Sequence, residues 1–194
     1  MITFNIRLVN SYGILGARSS KLTACFNGLK LSESKKDSIH VCEFYRILGE
    51  AYWNEGDNKK SIDYYSKALS IAISKKDTIK VAGIYNNLGL TYRSLKDYDV
   101  ANDYYFKSIE LGQLKGDKSV LAKTFNNIAY VRYMKKDLLG ALEYYNLSLK
   151  NAESIHDEFQ VGLVLGNIGA MHYELGHIKE AEECFNRSLA IAKK

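Results

Sequence analysis

Two stretches of this chain, YNNLGLTY at 85–92 and FNNIAYVRY at 125–133, each set a pair of asparagines on an otherwise apolar run. The pairs Asn86/Asn87 and Asn126/Asn127 stand forty residues apart. Asparagine is a mediocre helix former and an infrequent core residue. Its side-chain amide offers donor hydrogens and an acceptor oxygen on one short stalk, the chemistry of hydrogen-bonded recognition. Residues suited to catalysis or metal binding are not arranged for it. His40, His156, His172 and His177 show no HxxH or HExxH spacing, and no GxGxxG or GKS/T phosphate loop appears. Cys25, Cys42 and Cys184 are odd in number, far apart and without a CxxC pair, so they read as reduced, packed thiols, not a disulfide frame or zinc site. No cofactor, no metal and no enzyme activity are expected.

The elements that position the asparagines follow from a repeat. KKD ends at Asp37 and at Asp77, KGD at Asp117 and IHD at Asp157, always forty residues on. Tyr45, Leu48, Gly49 and Tyr52 return as Tyr85, Leu88, Gly89 and Tyr92, then as Phe125, Ile128, Ala129 and Arg132, then as Leu165, Ile168, Gly169 and His172. Later in each unit Ser61 and Tyr65 match Ala101 and Tyr105, Ala141 and Tyr145, Ala181 and Phe185. Apolar residues recur at intervals of three and four, the helical spacing. Polar breaks at Gly56-Asp57, Lys96-Asp97, Lys136-Asp137 and Gly176-His177 split each unit into two helices, with aspartates placed to cap the next helix. The chain contains no proline, which suits helices throughout. The expectation is an all-α chain of antiparallel helix pairs, about five repeats over 1–40, 41–80, 81–120, 121–160 and 161–194 in one domain. The glycine or alanine at position 49, 89, 129 or 169 implies a close approach by the partner helix. Ser61, Ala101, Ala141 and Ala181 should lie at the same crossing, and the aromatics four residues later should fill the space between one pair and the next. No pair buries its apolar faces alone, so neighbours must stack into a superhelix with a concave and a convex surface.

Composition narrows the functional classes. The net charge is +5, but residues 1–40 hold six Lys/Arg against two Asp/Glu and the later blocks are nearly balanced. An extended phosphate-tracking stripe is therefore not expected, and neither is nucleic acid as a partner. No run of about 18 apolar residues is present for a membrane span, and the opening MITFNIRLVNS lacks a signal-peptide pattern, so a cytoplasmic protein is expected.

The pattern Y-x-x-L-G-x-x-Y…A-x-x-x-Y at Tyr85, Leu88, Gly89, Tyr92, Ala101 and Tyr105 resembles the tetratricopeptide repeat family. Two features depart from it: the period is forty instead of 34, and the closing proline is missing. The forty-residue form is similar to repeats of Leu-Gly-Asn polarity adaptors, bacterial peptide-pheromone receptors and bacterial sensory regions, and kinesin light chains have a similar Asn-Asn-Leu-Ala stretch. The first unit keeps register at Asn5, Leu8, Val9, Tyr12 and Gly16, while Lys21 and Cys25 replace the small and aromatic residues, so it reads as a worn terminal repeat.

The resemblance implies a right-handed solenoid whose first helices line the concave groove. There Asn87, Asn127 and Asn167 form a ladder able to pair with the backbone of an extended peptide. By the same resemblance Arg46, Asn86 and Asn126, then Glu50, Leu90 and Tyr130, and Lys123, face the groove and set specificity. The packing alternative is that the motif asparagines bond across to a neighbouring helix and touch no ligand. A carboxylate clamp, with Arg46, Asn87 and Lys123 as members, is disfavoured because Glu50 and Asn127 replace an asparagine and an arginine that the clamp uses. The Tyr pairs 64/65, 104/105 and 144/145 should each pack one ring and leave the other half exposed. The resemblance thus implies a non-catalytic scaffold for a peptide or partner protein; the alternative is a peptide-sensing module of a larger bacterial signalling protein or transcription regulator. The last repeat stops without a further polar helix, so the expectation is that either the natural chain continues or this end finds a partner, with a second copy of the chain as one candidate.

Overall fold

The computed structural model describes residues 18–193, and the side chains from residue 22 onward. The first-repeat positions Asn5, Leu8, Val9, Tyr12 and Gly16, and the Lys21 side chain, lie outside the described residues. Those described form nine helices and no strand: α1 (Arg18–Ser34), α2 (Ser38–Asn54), α3 (Asn58–Ser74), α4 (Thr78–Ser94), α5 (Tyr98–Lys115), α6 (Lys118–Met134), α7 (Leu138–Ser154), α8 (Glu158–Glu174) and α9 (Ile178–Ala192). None of them is long and apolar enough to cross a membrane.

The recurring three-residue marker is a double cap. Its middle residue takes left-handed backbone, with φ between 54° and 81° at Lys36, Gly56, Lys76, Lys96, Gly116, Lys136, His156 and Gly176. That turns the chain so that the next N–H reaches back to the preceding helix, as Asp37 N–H donates to Ser32 O at 2.9 Å and Asp57 N–H to Tyr52 O at 2.9 Å. The aspartate carboxylate then accepts from the backbone N–H three residues on, for Asp37, Asp57, Asp77, Asp97, Asp117, Asp137 and Asp157 alike. Each such cap stabilises its helix by about 1 kcal/mol. His177, where the aspartate is missing, starts α9 without a side-chain cap bond.

Two compact units divide between Leu95 and Lys96. In the first, α1 packs on α2, α2 on α3 and α3 on α4, and α2 also touches α4. Its core gathers Cys25, Leu29, Val41, Phe44, Ile47 and Leu48. In the second, α5 to α9 pack in succession and α6 touches α8. There Ala129, Ala141, Tyr145, Val164, Ile168 and Met171 form one cluster, and Ala122, Ala152, Val161 and Leu165 another.

The close approach expected at the repeat glycine is present, but its occupant differs from the sequence expectation. A Cβ on Gly49 would lie 2.7 Å from Tyr65 Cδ1, and one on Gly169 2.8 Å from Phe185 Cε1. The aromatic thus seats first on its own pair's glycine. Tyr145 also reaches the next pair, clustering with Val164, Ile168 and Met171. Ser61 also faces the neighbouring repeat, its Oγ 3.1 Å from Thr91 Oγ1 on α4, while Ala141 clusters with Ala129 of its own pair as expected. At Gly49 and Gly169 the reason is geometric, because a residue without Cβ lets a flat ring lie closest against the helix backbone. The tyrosine pairs divide as expected, with Tyr65, Tyr105 and Tyr145 buried and Tyr64, Tyr104 and Tyr144 half-buried.

Candidate functional site

Each unit brings first helices side by side, and that contact assembles the residues singled out from the sequence. In the first unit α2 supplies Arg46 and Glu50, and α4 supplies Asn86, Asn87 and Leu90. In the second, α6 supplies Lys123, Asn126, Asn127 and Tyr130, and α8 supplies Asn167.

On α2, Arg46 is already engaged along its own helix. Its guanidinium donates to Glu43 Oε1 at 2.6 Å and to Glu50 Oε2 at 3.2 Å. Burial works against its charge, but the hydrogen bonds to Glu43 and the charges of Glu43 and Glu50 outweigh that and hold its pKa above the ordinary value. A cation neutralised by two carboxylates is a poor holder of a third, which argues against the clamp arrangement. Glu43 is not among the residues singled out from the sequence, although its i,i+3 spacing to Arg46 is a signal for it. On α4, Asn87 and Leu90 are half-buried, whereas Asn86 is about 9% exposed, which leaves little of its amide for a ligand.

In the second unit Lys123, Asn126 and Tyr130 fall at helical spacing on one face of α6. Lys123 and Tyr130 are exposed and Asn126 is half-buried. Lys123 makes no hydrogen bond or ion pair among the described residues. Asn167 Nδ2 donates to Asn126 Oδ1 at 3.0 Å, joining α8 to α6. Two asparagines of adjacent repeats therefore form one amide pair, and each retains unused hydrogen-bonding capacity at a half-open surface. Asn127, one residue further round the helix, is buried to about 9% exposure. The row is bordered by Tyr133, whose hydroxyl donates to Glu174 Oε1 at 2.8 Å and whose pKa that bond raises, and by Leu163, exposed on α8. The tyrosine–glutamate bridge spans 41 residues and has no local signal in the sequence.

No disulfide joins the three cysteines; Cys25 and Cys42 are buried and Cys184 is half-buried. Cys42 Sγ donates to Ala68 O at 3.3 Å, and burial pushes its pKa and that of Cys184 up. No group of three or more His, Cys, Asp or Glu able to hold a metal occurs among the described residues.

The sequence matches the tetratricopeptide repeat model over residues 41–113 and 120–194. No curated protein matches it significantly. Among solved structures it is similar to BtubC of P. vanneervenii, at 23% identity and TM-score 0.77 over 96% of this chain and 77% of that one. It is also similar to aspartyl phosphate phosphatase F of Bacillus subtilis, at 19% identity and TM-score 0.86 over 99% and 50%. A third is the Rap conjugation gene regulator of plasmid pLS20, solved with the Phr* peptide, at 17% identity and TM-score 0.86 over 99% and 53%. The chain spans about half the length of the last two.

Proposed function

The chain belongs to the tetratricopeptide repeat family, and on that premise we propose that it is a non-catalytic scaffold binding an extended peptide or a partner protein along its first-helix face. The observation that carries this reading is the Asn126–Asn167 amide pair, flanked on one surface by the unpaired Lys123 and the exposed Tyr130. Amides supply donors and acceptors to a peptide backbone whatever its side chains, while the cation and the phenol select among side chains. Asn87, Leu90, Arg46 and Glu50 offer the corresponding surface in the first unit, and Asn86 and Asn127 support it from beneath. The forty-residue register, unbroken from Asp37 to Asp157, supports reading the repeats as one array. Three cysteines without a disulfide agree with a cytoplasmic setting.

The test is selection of peptides from an unbiased display library on the wild-type chain, followed by titration of the selected peptides against Asn126→Ala/Tyr130→Ala and Lys123→Ala. Equal helicity by circular dichroism is required first. Binding should weaken by about tenfold or more in the double variant. A peptide that binds both forms equally places recognition elsewhere and removes this reading.

A peptide-sensing regulatory module is the second reading, supported by the likeness to a conjugation regulator solved with a peptide. It predicts a smaller scattering radius at peptide saturation, and an unchanged radius counts against it. Self-association through α9 is the third element: Ile178, Phe185 and Leu189 are exposed there, and a concentration-independent monomer mass in sedimentation would remove it.

A further inference from the structure

The opposite face of α6 carries a different feature. Lys118, Leu121 and Phe125 turn away from Lys123, Asn126 and Tyr130 at 3.6 residues per turn. With Gln113 and Gly116 from the end of α5, and Leu147, Lys150, Asn151 and Ser154 from α7, they line a cleft of about 340 Å³.

The cleft exists because one repeat departs from the others at several aligned positions. Asn151 stands where the other repeats have Leu31, Ile71, Leu111 and Ile191. In the first unit the equivalent residues meet one another. Ile71 packs against the core cluster, Tyr45 donates through its hydroxyl to Glu33 Oε1 at 3.2 Å, and Lys67 lies over the Tyr45 ring. In the second unit Phe125 has no hydroxyl, Gln113 replaces the glutamate and Leu147 replaces the lysine.

Asn151 is about 9% exposed, and its Nδ2 donates to Leu147 O at 2.7 Å. Its side-chain carbonyl accepts from no donor among the described residues. An amide at a position otherwise apolar gives the cleft an acceptor that a ligand's donor can meet. The rim adds two cations, Lys118 and Lys150, where the first unit has Ser38 and Ser70. Neither lysine has an ion-pair partner among the described residues, and no carboxylate lines the cleft. An apolar floor, one free carbonyl and two unpaired ammonium groups are complementary to a peptide carrying one apolar side chain, a backbone N–H and flanking acidic residues.

We propose that this cleft is a second recognition site, for a short acidic peptide segment anchored by one bulky apolar side chain. Leu121, Phe125 and Leu147 receive the anchor, Asn151 Oδ1 accepts from the backbone N–H beside it, and Lys118 and Lys150 pair with the acidic neighbours. The volume, at the lower end for ligand pockets, holds one large side chain and its backbone and no more.

The test is fluorescence anisotropy with a labelled Asp-Glu-Asp-Phe-Asp-Glu-Asp peptide and its Ala-for-Phe counterpart. The proteins are wild type, Asn151→Leu, Lys118→Ala/Lys150→Ala and the surface-lysine control Lys59→Ala/Lys179→Ala, both exposed and outside the cleft. Leucine restores the residue type of the other repeats, so Asn151→Leu keeps the fold while filling the cleft. Expected is saturable binding of the Phe peptide, weakened about tenfold by loss of the ring, by Asn151→Leu and by the lysine double change, and unaltered in the control. No saturable binding to wild type overturns the proposal. So does binding that Asn151→Leu and the lysine change both leave intact, or that the control reduces as much as they do.

Discussion

Three glycine-to-alanine changes, chemically identical, should give three different stabilities, because what faces each glycine differs. Alanine in a helix interior is favoured over glycine by about 1 kcal/mol wherever the new methyl is free. Gly83, inside α4, has nothing within 4 Å of the position its methyl would take, so Gly83→Ala should gain about that much. At Gly49 the methyl would meet Tyr65 Cδ1, Cε1 and Cγ at 2.7, 2.8 and 2.9 Å. Tyr65 is only 2% exposed, so its ring cannot swing aside and α2 and α3 must separate. Overpacking of this kind costs about 1–3 kcal/mol. Set against the propensity gain, Gly49→Ala should lose about 1 kcal/mol net. Gly169 meets a similar ring, with Phe185 Cε1 at 2.8 Å, but Phe185 is 43% exposed and able to move. Gly169→Ala should therefore be close to neutral. Thermal unfolding followed by circular dichroism reads the order, since about 1 kcal/mol shifts Tm by roughly 2–4 °C at this size. Urea titration checks that the slope is unchanged, so that the shift reports stability and not an altered unfolded state. If Gly49→Ala proves as stable as Gly83→Ala, the ring does not set the helix spacing and the packing argument fails.

Other consequences are open to measurement. Asn167→Ala should cost about 1 kcal/mol in chemical denaturation by removing the 3.0 Å bond to Asn126, and Asn126→Ala should cost a similar amount, with the double change less than additive. Lys136 holds φ at 66°, and Lys136→Gly should stabilise the chain by about 0.5–1 kcal/mol, the left-handed strain exceeding glycine's added unfolded-state freedom. Three of the cap carboxyls are held below their ordinary 3.8: Asp37 chiefly by the His40 backbone N–H, Asp57 and Asp77 chiefly by the ammonium groups of Lys60 and Lys80. A carboxyl depressed by folding contributes stability above its unfolded pKa and loses it as pH falls through the folded one. Stability should therefore be flat above about pH 5 and decline below about pH 4, and Asp57→Asn should lessen that decline.

Much of the fold was legible in residue order because the interactions behind it are local. The KKD, KGD and IHD markers fix helix ends through a left-handed residue and a capping carboxylate within three positions, and the forty-residue recurrence of Leu-Gly and Tyr marks one packing solution used repeatedly. The chemistry of the asparagines was likewise legible as hydrogen bonding. What residue order did not determine is which partner each group meets. Tyr65 on Gly49, Ser61 on Thr91, Tyr133 on Glu174 and Asn167 on Asn126 join residues 16 to 41 positions apart in different helices. A rotation of one residue separates buried Asn127 from half-open Asn126, and it depends on how α6 seats against its neighbours. The cleft at Asn151 is the same lesson in reverse: the substitution is visible in the repeat register, but only packing shows that the space left by Ile71's counterpart stays open, because no side chain from α5, α6 or α7 extends into it.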